Sequence, residues 1–85
     1  MEILNQILEI VNSQLESDVK ISLSQIEDNL IEHKMDSIIF IKIIVALEEK
    51  FNIEIPDQYL VISELATINA IHKVVLNELN KLKKN

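Results

Sequence analysis

Apolar side chains recur at helical spacing over the first 15 residues of the chain. Polar residues fill the intervening positions, so one face of a helix would be apolar and the other polar. This pattern predicts an amphipathic helix from Glu2 to about Leu15. The apolar residues that share its inner face are Leu4, Ile7, Leu8, Val11 and Leu15.

The pattern is lost between residues 16 and 35, where charged residues alternate irregularly with single apolar ones. We expect a long loop there, with a short helical turn near residues 24–29. Structureless loops longer than about 12 to 15 residues are uncommon in compact domains and are often functional. The apolar residues expected to pin this loop to the core are Val19, Ile21, Leu23, Ile26, Leu30 and Ile31.

The isoleucine-rich segment from Ser37 to Asn52 predicts a second helix. Isoleucine also favours strands, but the segment runs for about 15 residues and continues into the strong helix formers of "ALEEK". Its largest side chains also fall on one face at 100° per residue. The predicted inner face consists of Phe40, Ile43, Ile44, Leu47 and Phe51.

The last third of the chain predicts a short helical turn followed by a final helix. Pro56 ends the helical pattern, and residues 57–66 should hold one short helix with Tyr59, Leu60, Ile62 and Leu65 packed inward. Thr67 is placed to cap the final helix. Its predicted inner stripe is Ile68, Ile71, Val75, Leu79 and Leu82.

These elements predict an all-α fold: a small bundle of three main helices and one short helix, with a long loop between helices 1 and 2. Eighty-five residues are enough for a single domain spanning residues 1–85.

Composition excludes several classes of function. The net charge is −6 and there is no arginine, so we expect no nucleic-acid partner. There is no cysteine, and His33 and His72 lie far apart, so we expect no metal site. The longest apolar run, from Ile43 to Leu47, is far shorter than a membrane span. We expect a cytoplasmic, monomeric protein without membrane contact.

The residue pair Asp36-Ser37 stands directly before the most apolar segment. If Asp36 caps the second helix, Ser37 lies in its first turn with its hydroxyl facing solvent. A phosphorylated group attached there would meet free backbone N–H groups and the positive end of the helix dipole. Hydrolytic catalysis is not expected, because His33 is the only nearby candidate base. The alternative is that the pair serves only as a helix cap.

The second helix also carries an apolar stripe on the side away from its predicted core face. Ile38, Ile41 and Val45 follow the spacing i, i+3 and i+7, beside the charged Lys42 and Glu49. An exposed stripe of this kind is typical of a docking surface for another protein. The alternative is that the long loop folds over these side chains and buries them.

The chain resembles the acyl carrier proteins and the related peptidyl carrier domains over nearly its whole length. Asp36-Ser37-Ile38 is similar to their Asp-Ser-Leu attachment motif. The stretch "ALEEKFNIEIPD" (residues 46–57) is similar to the end of their second helix and the loop that follows. The stretch "ISELATINAIHKVV" (residues 62–75) is similar to their third and fourth helices.

The resemblance implies that a phosphopantetheinyl transferase attaches 4′-phosphopantetheine, taken from coenzyme A, to Ser37. The thiol of that arm would carry acyl or aminoacyl groups as thioesters to loading and processing enzymes, and the protein would not itself be an enzyme. Asp36 would orient or contact the transferase site. The residues at partner-binding positions would be Ile38, Ile41, Val45 and Glu48, and those lining an acyl cavity would be Ile55 and Ile62.

The sequence departs from the family pattern in two places. Lys34-Met35 stands where the family often has glycine, so we expect the approach to Ser37 to differ. Ile39 and Lys42 stand where fatty-acid carriers usually have acidic residues, which favours a specialised polyketide, nonribosomal peptide or aminoacyl-carrier pathway. The alternatives are a carrier for fatty-acid synthesis, a helical adaptor in which Ser37 is only a cap, and a small enzyme.

Overall fold

The structure is a computed structural model that describes residues 3–15 and 20–83. Its helices are α1 (Ile3–Gln14), α2 (Ser37–Phe51) and α3 (Ile68–Lys83), and no strand occurs within these residues. Between the helices, the described residues form three short 3-10 turns, at Leu23–Gln25, Leu30–His33 and Asp57–Tyr59. The predicted small all-α bundle is confirmed.

Helix α1 packs against both α2 and α3, and the core lies where the three helices meet. From α1, Ile7 and Val11 are fully buried, while Leu4 and Leu8 are partly buried. The predicted start of this helix at Glu2 lies outside the described residues. No helix within residues 3–15 and 20–83 combines the length and the apolar character that crossing a membrane requires.

Helix α2 supplies the largest share of the core. Four of its predicted inner residues are buried, namely Phe40, Ile43, Ile44 and Leu47, and Phe51 is half-buried. The helix ends at Phe51 and is capped by Asn52, which takes a left-handed conformation with φ of 55° and donates its N–H to the Glu48 carbonyl. Asparagine tolerates this conformation better than most residues, so it can end a helix in a chain without glycine.

The loop between α1 and α2 differs from the prediction. It holds two 3-10 turns in place of one: Leu23–Gln25, which overlaps the turn expected near residues 24–29, and Leu30–His33, which follows that segment. The side chain of Asn29 accepts the Ile31 N–H at 3.0 Å and so starts a second turn.

The pinning of this loop to the core is confirmed only in part. Ile21 and Leu30 are buried and Ile26 packs against the core, but Leu23 and Ile31 are exposed. Both exposed residues lie within 3-10 turns, where the three-residue period turns some side chains outward. Val19, also expected to pack inward, lies outside the described residues.

Polar bonds hold the loop against α1 and α3. The Asn12 side chain bonds to both backbone groups of Ile21, donating to the carbonyl and accepting from the N–H at 2.9 Å each. At the other end, the Asn69 N–H donates to the Ile26 carbonyl at 3.0 Å, and the Leu30 N–H donates to the Ala66 carbonyl at 2.6 Å. The loop is therefore fastened beside α2 and not across it.

Residues 57–66 hold the short helical turn that the sequence predicts, as one 3-10 turn at Asp57–Tyr59. The bonds from Tyr59 N–H to the Pro56 carbonyl and from Leu60 N–H to the Asp57 carbonyl span three residues, and no helix continues from them. Leu65 is buried as predicted, and the other three predicted inward residues, Tyr59, Leu60 and Ile62, are partly buried against the core.

Helix α3 begins and packs largely as predicted. The Thr67 hydroxyl accepts the Ala70 N–H at 3.0 Å, which confirms the predicted cap. From the expected stripe, Ile68, Ile71 and Val75 are buried and Leu79 is half-buried. The inward placement of Leu82 was wrong, because this residue is exposed in the last turn and borders a surface cleft.

Candidate functional site

The N-terminus of α2 is capped by Asp36, as the sequence predicts. Asp36 has an extended backbone, and its carboxylate accepts the Ile39 N–H at 2.8 Å. Its carbonyl accepts the Phe40 N–H, also at 2.8 Å, and so starts the helix. Ser37 is consequently the first helical residue.

The Ser37 side chain is exposed at this helix end. The N–H groups of Ser37 and Ile38 have no intrahelical acceptor by their position, and they lie at the positive end of the helix dipole. His33, the candidate base, is half-buried with Nε2 3.3 Å from the Asp28 carboxylate. His33 therefore has a partner of its own within the preceding loop.

The two residues before the cap determine how the chain enters α2. Lys34 has φ of 76°, in the left-handed region that favours glycine, and its N–H donates to the carbonyls of Leu30 and Ile31. Met35 follows with its side chain buried and its N–H bonded to the Leu30 carbonyl at 3.1 Å. A lysine at this position reverses the chain without glycine, and the buried methionine anchors it directly before Asp36.

We call Ile38, Ile41 and Val45 the outer ridge of α2. Their exposed fractions are 67%, 50% and 46%, so the preceding loop does not cover them. Ile41 and Val45 also border two surface clefts, one on either side of the ridge. The predicted exposure of this stripe is therefore confirmed, while its role in docking stays a prediction.

The larger of these clefts, of about 710 Å³, lies between the second half of α2, residues 53–57 and the end of α3. Ile55 lines it and is itself buried, whereas Ile62 is not among the lining residues. The Glu48 carboxylate accepts the Ile55 N–H at 2.9 Å, which holds residues 53–57 against α2. Glu48, predicted only as a partner contact, therefore also shapes the cleft wall.

A capped, exposed serine beside an uncovered apolar ridge is the arrangement that the sequence resemblance implies. A protein-family model described as a phosphopantetheine attachment site matches residues 5–75, most of the chain. The chain belongs to the acyl and peptidyl carrier protein family. Searches of curated proteins and of solved structures found no match.

Carrier domains of this family hold 4′-phosphopantetheine covalently, and they interact with phosphopantetheinyl transferases and acyl-processing enzymes. The residues at the N-terminus of α2 of this carrier fit such a group. An exposed hydroxyl is present at Ser37, and the neighbouring backbone N–H groups suit a phosphodiester anion. The Asp36 carboxylate is turned towards the Ile39 N–H, so part of its negative charge is already compensated.

Sequence reasoning missed two features of the carrier's site. One is the left-handed backbone at Lys34, which the family's frequent glycine near this position could have indicated. The other is Glu78, the buried charged residue of the cleft. Glu78 follows Ile71 and Val75 at the spacing of the inner stripe of α3, so helical periodicity alone indicated that it points inward. It was not included in the predicted stripe because it is charged.

Proposed function

We propose that Ser37 is the residue that receives 4′-phosphopantetheine, within a single carrier domain formed by residues 1–85. The observation that carries this proposal is the exposed hydroxyl at the capped N-terminus of α2, in a chain whose family carries the group. When bound, the group supplies a thiol that holds acyl or aminoacyl cargo as a thioester. This chain contains no cysteine that could do so.

Attachment requires only a hydroxyl from this protein, with the catalytic groups coming from the transferase. The Ser37 oxygen attacks the phosphorus of coenzyme A that bears the pantetheine. The bond from that phosphorus to the bridging oxygen of the pyrophosphate breaks, adenosine 3′,5′-bisphosphate leaves, and the serine proton passes to a base of the transferase. The backbone N–H groups of Ser37 and Ile38 would then stabilise the charge of the phosphodiester, while the Asp36 cap keeps the helix end in place.

The outer ridge is the proposed docking surface for the transferase and for the processing enzymes. Ile38 directly follows the serine, and Ile41 and Val45 continue the exposed apolar line along α2. A partner that covers this line has Ser37 at the edge of its contact area. Glu48 is proposed to contribute at the far end of the ridge, in addition to holding Ile55. Ile55 is proposed to contact the acyl chain of the cargo in the large cleft; the same contact was expected of Ile62, which does not line that cleft.

We further propose that the carrier serves a polyketide, nonribosomal peptide or aminoacyl-carrier pathway. Fatty-acid carriers usually have acidic residues just after the serine motif, and here Ile39 is buried while Lys42 is exposed and positively charged. A carboxylate at position 39 would lie in the core, so the difference is built into the packing of α2. Fatty-acid synthesis is the alternative pathway.

The decisive experiment is incubation of the purified protein with a phosphopantetheinyl transferase and coenzyme A, followed by intact-mass measurement. We expect one added phosphopantetheine on the wild type and none on Ser37→Ala. Ser63→Ala, which alters another exposed serine, is the matched control and should be loaded normally. Loading of Ser37→Ala, or failure of the wild type with several transferases, would contradict the proposal.

A helical adaptor remains a second candidate, and the exposed outer ridge is the observation that favours it. An adaptor would use the ridge to bind a partner or its own copy without modification of Ser37. The carrier proposal predicts a monomer, measured by light scattering during size-exclusion chromatography. A stable dimer that dissociates on substitution of Ile41 by lysine, together with no loading of Ser37, would favour the adaptor.

A further inference from the structure

We propose that the large cleft beside the outer ridge selects cargo that bears a positive charge, and that Glu78 is the residue that recognises this charge. The inference rests on the proposed function, because it concerns the group carried on Ser37. It names the chemical class of that cargo: an acyl or aminoacyl chain with an apolar stem and an amino group.

The cleft begins close to Ser37. Ile41 lies on its wall and comes four residues after the serine, which corresponds to about 6 Å along the axis of α2. The cleft then continues past Val45 and Glu48 towards the end of α3. A flexible arm attached to Ser37 could therefore lay its end into the cleft.

The size and lining of the cleft suit a stem of several methylene groups. Its volume of about 710 Å³ lies within the range of roughly 300 to 1,000 Å³ that is typical of small-molecule sites. Most of the lining residues are apolar, which gives a stem a surface to bury against. These apolar residues are Ile41, Ile44, Val45, Ile53, Ile55, Pro56, Leu60 and Leu82.

More negatively charged than positively charged residues line the cleft. Among the described side chains that line it there are four carboxylates, those of Glu48, Glu54, Asp57 and Glu78, and one ammonium group, that of Lys81. One oxygen of Glu48 already accepts the Ile55 N–H, which leaves its charge in place. The surplus of negative charge favours a cation within the cleft and opposes an anion.

Glu78 differs from the other three carboxylates because its side chain is only 10% exposed. A buried carboxylate is costly unless a cation or several donors compensate it. Lys81 lies 3.2 Å away on the next turn of α3, but its side chain is 57% exposed. The lysine end of the pair is in contact with water, so Lys81 can turn out to solvent when another cation compensates Glu78 in its place.

A cargo amine can therefore take the place of Lys81 beside Glu78. The exchange would keep the buried carboxylate compensated while the stem covers the apolar wall. A carboxylate at the end of the same stem would find Lys81 but would also approach the buried Glu78 and its three acidic neighbours. The geometry thus distinguishes cargoes of equal length by the sign of their charge.

The test uses three coenzyme A thioesters of equal chain length, ending in a methyl group, an amino group or a carboxylate. The stem is long enough to prevent cyclisation. Each is loaded by the transferase, and intact mass confirms attachment. The readouts are the rate of thioester cleavage by hydroxylamine, relative to the same thioester on free pantetheine, and the melting temperature of the loaded protein.

We expect cleavage of the amino cargo to be slowed about threefold more than that of the methyl cargo, and the carboxylate cargo to be the least protected. The amino-loaded protein should also have the highest melting temperature. Glu78→Gln should remove the advantage of the amino cargo. Glu64→Gln, which alters an exposed glutamate outside the cleft, should keep it. Lys81→Met should enlarge the advantage, because the competing ammonium is gone.

Each outcome bears on one proposal at a time. Absence of any mass increase would overturn the proposed function. Normal loading with equal protection of all three cargoes, or with the methyl cargo protected best, would overturn the inference and leave the function standing. If Glu78→Gln does not fold, Lys81→Met decides, since an unchanged or reduced preference for the amino cargo in that variant would also overturn it.

Discussion

The two faces of α2 are built from similar residues and have opposite environments. On the inner face, Ile43 and Leu47 are fully buried and Phe40 nearly so. On the outer ridge, Ile38 and Ile41 are half or more exposed, although they belong to the same helix. Hydrophobicity alone therefore does not determine burial here. What differs is whether another element is held against the face.

The loop before α2 is the element that could have covered the outer ridge. It is instead fastened to α1 through Asn12 and to α3 through Asn69. Each fastening uses backbone groups of the loop, at Ile21 and Ile26, which would otherwise need water or another partner. The uncovered ridge thus follows from polar bonds made elsewhere in the molecule.

The strongest test of the comparison between the faces is a pair of truncations, Ile43→Ala and Ile41→Ala. Ile43 is fully buried, so its truncation should lower the free energy of unfolding by about 3 kcal/mol, through lost burial and a cavity. Ile41 is half-exposed, so its truncation should lower the free energy of unfolding far less. Urea denaturation followed by circular dichroism measures both. Equal losses for the two variants would show that the faces do not differ as described.

The next largest effect is expected from Asn12→Ala, which removes both bonds to Ile21. We expect a loss of about 1 to 2 kcal/mol in the free energy of unfolding, because two partly buried backbone groups lose their partner. Asn5→Ala, at an exposed position of the same helix, is the control. Hydrogen exchange of the Ile21 amide should accelerate in Asn12→Ala alone; unchanged exchange would mean that these bonds do not fasten the loop.

A gain of about 1 kcal/mol is expected from Lys34→Gly. The left-handed backbone at Lys34 is unfavourable by about 1 to 2 kcal/mol for a residue with a Cβ atom, and glycine avoids this strain. Glycine also has more conformational freedom in the unfolded chain, which offsets part of the gain. Asn52→Gly is the matched control at the other left-handed position, and its gain should be smaller because asparagine tolerates this region. Thermal melting of both variants decides; destabilisation by Lys34→Gly would contradict the assigned backbone conformation.

The smallest effect on stability is expected from Ile38→Ser on the outer ridge. This side chain is the most exposed of the three, so the free energy of unfolding should change by less than about 0.5 kcal/mol. If the ridge is the docking surface, the same variant should be loaded more slowly by the transferase, while its melting curve stays unchanged. Loading at the wild-type rate would remove Ile38 from the docking surface.

Much of the fold could be predicted because it rests on local signals. The period of 3.6 residues marked the three helices, and the caps at Asp36 and Thr67 each bond to a backbone N–H three residues ahead. The outer ridge could also be predicted, because its residues follow the same helical periodicity on the other side of α2. The expected cap at Asp36 placed Ser37 at the helix start, and the family resemblance implied its role as the attachment residue.

The features that escaped prediction depend on residues far apart in sequence. The Asn69 side chain bonds to Glu27 across 42 positions, and Glu48 reaches Ile55 across the end of a helix. No periodicity marks such pairs, because each side chain would be equally suited to solvent. The second turn of the loop, at Leu30–His33, escaped for a related reason, since short 3-10 segments are too brief to show a period.

The bonds between the start of α3 and the middle loop couple distant parts of the chain mechanically. A pull on α3 would be transmitted through Asn69 to Ile26 and through Ala66 to Leu30, and Leu30 in turn accepts the Met35 N–H two residues before Ser37. The backbone just before Ser37 is thus linked by hydrogen bonds to the start of a helix that begins 31 positions later in the sequence. Tension or loosening at α3 would reach the serine without passing along α2.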